Sequence, residues 1–413
     1  MDFGETMQIR TWTRFDELKA SDHLPTPPGV ALALLRLTAT EGSSVQEIAS
    51  VLEADPALVG RAIKLANSAA AGGGRSVASA REAVARGMRP TLAGRSRQKV
   101  EQLAAELGCQ SAVFSLDDHT SLVRALDGMT AVLHCAGPFS STARPMMQGC
   151  LATHVHYLDI TGEIEVFELA HSVEDKAHRA QVVLCPGVGF DVVPTDSVAA
   201  KLKQALPDAT HLALGFEGNS GMSKGTAKTS IESVGGGSRV RRDGKIVSVE
   251  LGSQTRKIDF GSGERLAVGI PWGDVSTAYF TTGIPNIEVF TAISQKGLDG
   301  MRRMNMIAPL LRQRWMQAVA KRIVDSRLRP PDRTQRENNP SFVWGEVRNA
   351  AGASKTARLR TANGYSLTVA SSLGILSTLL AQPRMSGFAT PSELVGADFV
   401  TTLPGSSPIR IDS

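Results

Sequence analysis

The chain is poor in cysteine. Cys109, Cys135, Cys150 and Cys185 are four in 413 residues, and no two stand in CxxC spacing. That excludes a zinc ribbon and a disulfide scaffold, and it predicts buried, reduced thiols in a cytoplasmic protein. An apolar leader core is missing between Met1 and Arg14, where charges are mixed, so no signal peptide is expected. Nor is there a clean membrane span. The most apolar late run, Tyr365 to Ala381, is broken by Ser366, Thr368, Ser371, Ser372, Ser377 and Thr378, and it predicts a core helix. Charge of one sign is also lacking. A net +5 over this length suits an anionic small ligand and excludes the concentrated basic face of a nucleic-acid binder. His154 and His156 stand two apart with no third ligand in sight, so no metal site is expected.

What the chain has is an alternation of short apolar runs with helix-length segments between Arg89 and Gly189. Pro90–Ala93, Ala112–Phe114, Ala131–Cys135, Tyr157–Ile160 and Val182–Cys185 read as strands, each ending in small or polar residues. Arg97–Leu107, Leu122–Leu126 and Thr142–His154 read as helices. That order predicts a Rossmann-like parallel sheet with ligands at the carboxyl ends of its strands. The strand and glycine-rich turn that normally open such a sheet are absent from this reading. Gly72-Gly73-Gly74 is the nearest substitute. Val77 stands where a G-x-G-x-x-G fingerprint needs its third glycine, and the residues before it are helical in pattern, so a linker or turn is the better reading.

The first 88 residues are helical in pattern. Leu24-Pro25 with Pro27, Val45–Leu52, Asp55-Pro56-Ala57-Leu58, Lys64–Ser68 and Ser79–Gly87 resemble the start of an HDOD domain, a helical interaction module of signalling proteins. That family's later helices have no counterpart, and no catalytic residue is implied by it.

From Arg81 to Asp398 the chain resembles the saccharopine dehydrogenase-like oxidoreductases, close to the trans-acting enoyl reductase branch. The carrying motifs are Leu92-Ala-Gly-Arg-Ser96, Cys135-Ala-Gly-Pro-Phe139, His156-Tyr-Leu-Asp-Ile-Thr-Gly-Glu163, Pro186–Pro194, Ile270-Pro-Trp-Gly-Asp274, Gly283–Glu288 and Phe342–Glu346. The resemblance implies an α/β fold, with an incomplete Rossmann domain followed by a second α+β domain with its own sheet, and an NADP(H) cofactor with NAD(H) as the alternative. The expected domains are 1–88, a helical fragment; 89–207, cofactor binding; 208–349, substrate or dimerisation; and 350–413, a closing strand, helix and tail. The family's opening strand and turn are expected to be replaced by the HDOD-like piece, as in a fusion of two truncated genes.

Within that frame the residues speak for themselves. An acid after the second strand would hold a ribose hydroxyl; here Gly94-Arg95-Ser96 offers a guanidinium and a hydroxyl instead, which favours a 2′-phosphate. A plain surface arginine and a helix-capping serine fit these residues as well. Ala136, Gly137, Pro138 and Phe139 form a small-residue loop that in the family borders the nicotinamide, and Gly187 and Gly189 form a second glycine-bearing turn. Tyr157, Asp159 and Glu163 are the proton-handling candidates near a strand end, with a structural role for Asp159 at least as well supported. Asp117 and Asp118 read as a helix cap.

In the second domain Thr210–Phe216 alternates like a strand, and Arg239–Lys245 is a hairpin around Asp243-Gly244. Ser276–Thr281 reads as a strand carrying Tyr279 after Trp272. Lys224 and Lys228 read as surface lysines, with a role against an anionic substrate the sharper alternative. Gly297–Arg329 is a basic amphipathic stretch suited to packing on the sheet or to a homodimer interface, with peripheral membrane contact as the less favoured use. Asn363-Gly364 reads as a hairpin turn, and the tail from Gly405 as disordered. The expected activity is hydride transfer to a small organic or lipid-linked, enoyl-type substrate. The competing expectation is a fusion that lost its chemistry and serves in interaction or not at all.

Overall fold

A computed structural model describes residues 74–218, 237–261, 263–311, 339–381 and 385–412. The chain divides into two compact units, residues 1–77 and 78–413. The expected helices before Gly74, Lys224, Lys228, the turn and helix around them, and the stretch from 312 to 338 lie outside the described residues.

The elements follow in order. Helix α1 (Gly74–Ala85) leads to β1 (Thr91–Gly94), α2 (Arg97–Leu107), β2 (Gln110–Val113), α3 (His119–Leu126), β3 (Ala131–His134), α4 (Phe139–Thr153) and β4 (His156–Asp159). Then come α5 (Ile164–Ser172), α6 (Glu174–Ala180), β5 (Val183–Cys185) and α7 (Val193–Ala205). The second half holds β6 (Ala209–Gly218), β7 (Ser238–Arg242), β8 (Lys245–Val249), β9 (Thr255–Asp259), β10 (Glu264–Gly269), α8 (Asp274–Thr282), β11 (Asn286–Ala292) and α9 (Gln295–Leu311). It closes with β12 (Ser341–Asn349), β13 (Ser354–Thr361), α10 (Gly364–Ala381), β14 (Gly387–Phe388), α11 (Pro391–Val395), a 3-10 turn at Phe399–Thr402, and β15 (Arg410–Asp412).

The first half is the parallel α/β sheet the alternation predicts, in two pieces. β1 pairs in parallel with β2, and a separate sheet runs β14-β5-β4-β3, also parallel. In chain order this is the doubly wound arrangement 3-2-1-4-5-6 with β2, β1, β3, β4 and β5 in every place but the one between β1 and β3. Among the described residues no strand fills that place, and β1 and β3 each keep one edge without a ladder. Local chemistry fits the helices in between. Asp118 caps α3 by accepting the Ser121 N–H at 3.1 Å, as its sequence position predicts.

The second half is one nine-stranded sheet among the described residues, ordered β15-β13-β12-β6-β11-β10-β9, with the β7–β8 hairpin attached through β11. Its β11–β6 ladder is parallel and the others are antiparallel. The hairpin turns at Asp243 (φ 46°) and Gly244 (φ 77°), where the expected turn falls. The closing segment serves both sheets. β13 and β15 extend the second, β14 joins the first beside β5, and α10 packs over β3 and β4. The tail from Gly405, expected to be disordered, instead reaches β15 and pairs with β13.

The main core joins the layers. Leu158, Val183 and Val188 from the first half pack with Val198 and Leu202 of α7, Leu214 of β6, Ile287 of β11, Val343 of β12 and Ile375 of α10. A Cβ on Gly345 of β12 would lie 2.6 Å from Val198 Cγ1 and 2.7 Å from Leu202 Cδ1, so only glycine lets α7 approach that closely. α10 is the one helix, among the described residues, long and apolar enough to cross a membrane by length and composition. Half of it is buried, with Leu367, Leu373, Ile375 and Leu379 in the interior.

Two expectations are corrected. Ser276–Thr281 is helical, within α8, because Val275 and Ala278 repeat at helical spacing and point into the core. Asn363-Gly364 is no hairpin turn. The Asn363 side-chain oxygen accepts the Tyr365 and Ser366 N–H groups, both at 3.0 Å, so Asn363 caps α10.

Candidate functional site

Every sequence-predicted cofactor residue lies at the carboxyl end of a parallel strand, where such sheets bind ligands. Gly94 ends β1, and a Cβ there would meet Val100 at 3.0 Å, which keeps α2 close to the strand. Arg95 is exposed and carries no hydrogen bond or ion pair among the described residues. Ser96 takes the N-cap position of α2 without a capping side-chain bond, so its hydroxyl is not committed to the helix.

The loop after β3 is shaped by a cis Gly137–Pro138 peptide and by the side chain of Thr142. Its hydroxyl lies 2.6 Å from the Ala136 carbonyl and 3.1 Å from that of Pro138. It also lies 3.0 Å from Nε2 of His134, a buried ring whose basicity falls to about 4 because burial disfavours its charged form. A neutral imidazole therefore donates Nε2–H to Thr142, whose single hydroxyl proton goes onward to the nearer carbonyl, that of Ala136. The sequence gives no signal for this brace beyond a threonine in the first turn of α4.

Glu163, at the N-cap of α5 beyond the next strand, closes the same loop. Its carboxylate accepts the Phe139 N–H at 3.1 Å and the Ser140 N–H at 2.6 Å, a negative charge on the positive end of α4. Glu163 N–H in turn donates to the Thr161 hydroxyl at 3.1 Å.

Tyr157 and Asp159 are brought together as a pair. The Tyr157 hydroxyl donates to Asp159 Oδ2 at 2.6 Å, and Oδ1 accepts the Thr161 and Gly187 N–H groups, both at 2.9 Å. Both side chains are fully buried. Burial pushes the Asp159 carboxyl up to about 6 against the pull of these three donors, and it pushes the Tyr157 phenol well above its ordinary value. Asp159 thus ties the end of β4 to the turn after β5, as the structural reading of this residue expects.

Gly187 and Gly189 are buried within that turn. Gly187 has φ 78°, and a Cβ would strike Phe167 and Val192 at 2.8 Å; one on Gly189 would meet Thr368 of α10 at 3.0 Å. Their small size serves close packing of this turn. Beyond it, Thr368 accepts the Phe190 N–H at 3.1 Å, and the Trp272 indole donates to the Asp191 carbonyl at 2.7 Å. Phe190 meets Phe216 edge to face and Phe216 meets Trp272 at a tilt, with centroids 5.9 and 5.0 Å apart. The second sheet thereby brings a half-buried aromatic group to the turn after β5. Sequence reasoning named Trp272 but not its partners, which come from segments far apart in the chain.

Asp196 and Asp274 lie deeper, both fully buried in the first turns of α7 and α8. Burial raises the Asp196 carboxyl to about 6 and that of Asp274 well above its ordinary value. Among the described residues no group of three or more His, Cys, Asp or Glu is placed to hold a metal ion.

Residues 72–185 match the family model of the saccharopine dehydrogenase NADP binding domain. The resemblance to the saccharopine dehydrogenase-like oxidoreductases holds. The match reaches back past Arg81 to Gly72 and takes in all of α1, so the glycine run stands at the head of the family segment. Residues 24–92 match the HDOD domain, and the two matches overlap across α1 and the start of β1. A saccharopine dehydrogenase-like oxidoreductase of Bos taurus is 29% identical over 117 residues, 25% of this chain and 27% of that protein. The trans-acting enoyl reductase of Mycobacterium leprae is 29% identical over 131 residues, 30% of this chain and 31% of that protein. The chain thus spans about a third or less of the curated relatives it matches. Saccharopine dehydrogenase of Saccharomyces cerevisiae superposes with a TM-score of 0.55 at 11% identity, over 83% of this chain and 98% of that one, which shows a shared fold.

Proposed function

We propose that the chain is an NADP(H)-dependent oxidoreductase that transfers hydride to or from a small organic or lipid-linked substrate, of which an enoyl group is the leading class. The observation that carries this reading is the strand-end position of Gly94-Arg95-Ser96. There an exposed guanidinium, unpaired among the described residues, stands beside an uncommitted hydroxyl. Arginine forks onto a phosphate with two parallel hydrogen bonds, and no acid is present to prefer a ribose diol. The matched family segment is named for NADP binding, which supports the same assignment. Arg95 and Ser96 would hold the 2′-phosphate, and the Ala136–Phe139 loop would border the nicotinamide. When bound, the nicotinamide supplies or accepts the hydride.

In this reading Tyr157 and Asp159 position the strand-end turns, and Glu163, touching the loop itself, is the candidate for proton transfer. The proposal places the chain in the cytoplasm, where its four free cysteines stay reduced. Its test is NADPH consumption by the full chain with a panel of α,β-unsaturated thioesters, ketones and imines, repeated with Glu163→Gln. Turnover with one class, reduced in the variant, is the expected result; no turnover with any member would count against it.

One observation favours the competing reading, a scaffold that has lost its chemistry. Among the described residues no strand joins β1 to β3, so the centre of the cofactor sheet lacks a ladder. A folded chain that binds neither NADPH nor NADH would establish that reading.

A further inference from the structure

Away from the strand ends, helices α4, α5 and α6 leave an open groove of about 490 Å³ between them. Its floor is apolar: Met147 and Leu151 from α4, and Leu169 from α5. Its rim is basic, with Arg144 on α4 and Lys176 and Arg179 on α6. All three cations are exposed, none carries an ion pair among the described residues, and no acidic side chain lines the groove. The neighbouring acid Glu174 is engaged elsewhere, at 3.2 Å from His171 and 3.6 Å from His178.

We infer that this groove docks an amphipathic, acidic helix of a partner protein. Cations on two different helices flank one apolar strip. A helix with an apolar stripe and carboxylates on both sides of it matches every one of these features. A single-chain fatty carboxylate would satisfy one rim only. Pockets built for small ligands enclose most of the ligand's surface, whereas this groove is partly open to solvent. The α4 wall of the groove, from Arg144 on the rim to Leu151, runs about 10 Å, roughly two turns of a docked helix. Acidic complementarity would also speed encounter, since a cluster of one sign steers an oppositely charged partner.

The test uses the full chain and two synthetic amphipathic peptides of about 18 residues, long enough to hold a helix. Both carry the same leucine stripe, flanked by glutamate in one and by lysine in the other. Fluorescence anisotropy should show saturable binding of the glutamate peptide and binding about tenfold or more weaker for the lysine peptide, because three ion pairs act together. The combined variant R144E, K176E and R179E should weaken the glutamate peptide by a similar factor while keeping the wild-type melting temperature and NADPH affinity. Leu151→Asp, with its fold checked in the same way, should weaken both peptides. Equal binding of the two peptides, or binding indifferent to the triple charge reversal, would overturn the inference. So would saturable binding of dodecanoate by a chain that ignores the glutamate peptide, which would make the groove a small-amphiphile site.

Discussion

The two sheets of this molecule are built on different terms. The second is continuous, and its central strands β6 and β12 are largely buried beneath α7 and joined by a long antiparallel ladder. The first is split. β4 and β5 are almost wholly buried, yet β1 and β2 contain no fully buried residue at all. A parallel strand is normally covered on both faces and laddered on both edges. Among the described residues β1 has neither, and Arg95 follows directly after it. The contrast teaches that a shared fold does not guarantee a finished ligand site. The apolar burial that fixes the architecture is concentrated in β4, β5 and the second sheet, whereas Arg95 and Ser96, the candidates for the 2′-phosphate, follow a strand of the less supported piece.

That contrast can be broken at its strong side first. Gly345→Leu would force a side chain into Val198 and Leu202, where a Cβ alone is already too close. It should lower stability by roughly 3 kcal/mol, the upper range for overpacking, as read by urea denaturation. A melt within a degree or so of wild type would mean that α7 and β12 are not rigidly packed.

The buried acids sharpen it next. The Asp159 carboxyl sits at about 6 in the folded chain against 3.8 when free. Between those values the folded state holds a proton that the unfolded state has released. Stability should therefore fall as pH rises from about 4 to 6, by on the order of 3 kcal/mol for this group, and level off above. Asp159→Asn should flatten that fall while lowering stability at pH 4, since the amide cannot reproduce all three accepted hydrogen bonds. Denaturation curves at several pH values decide it, and an unchanged slope would contradict the buried, ionisable state of Asp159.

A smaller effect addresses the weak side directly. Amide exchange in β1 and β2 should run about a hundredfold faster than in β6 and β12, because few apolar contacts hold the two-stranded piece. Equal protection would show that β1 is supported more firmly than its burial indicates.

Much of this was legible in the residues. Strand-and-helix alternation located β1 through β5, Asp118 announced a helix cap, and Asp243-Gly244 announced its hairpin. These are local signals with local causes. The misreadings have local causes too. Asn363-Gly364 is a strong turn signal in isolation, but asparagine is equally good at capping, and only the packing of α10 decides between the two. Ser276–Thr281 is rich in β-favouring residues whose propensity was overridden by burial of Val275 and Ala278. At the site, the Tyr157–Asp159 pair was within reach, because alternate residues of a strand share a face. The brace of Glu163 on the Phe139 and Ser140 amides was not, nor was the bond from Trp272 to Asp191. Those contacts join segments 23 to 81 residues apart, and nothing in either segment encodes the other.

The central claim is that Arg95 selects NADPH on an otherwise incomplete sheet. Calorimetric titration of the full chain with NADPH, with NADH alongside, and of Arg95→Ala with NADPH, tests it most directly. The account predicts saturable NADPH binding that is about tenfold or more tighter than NADH and that weakens by a similar factor in the variant, the scale of a charge-assisted phosphate contact. A folded chain that gives no heat with either nucleotide, or an Arg95→Ala variant that binds NADPH as wild type does, would contradict it.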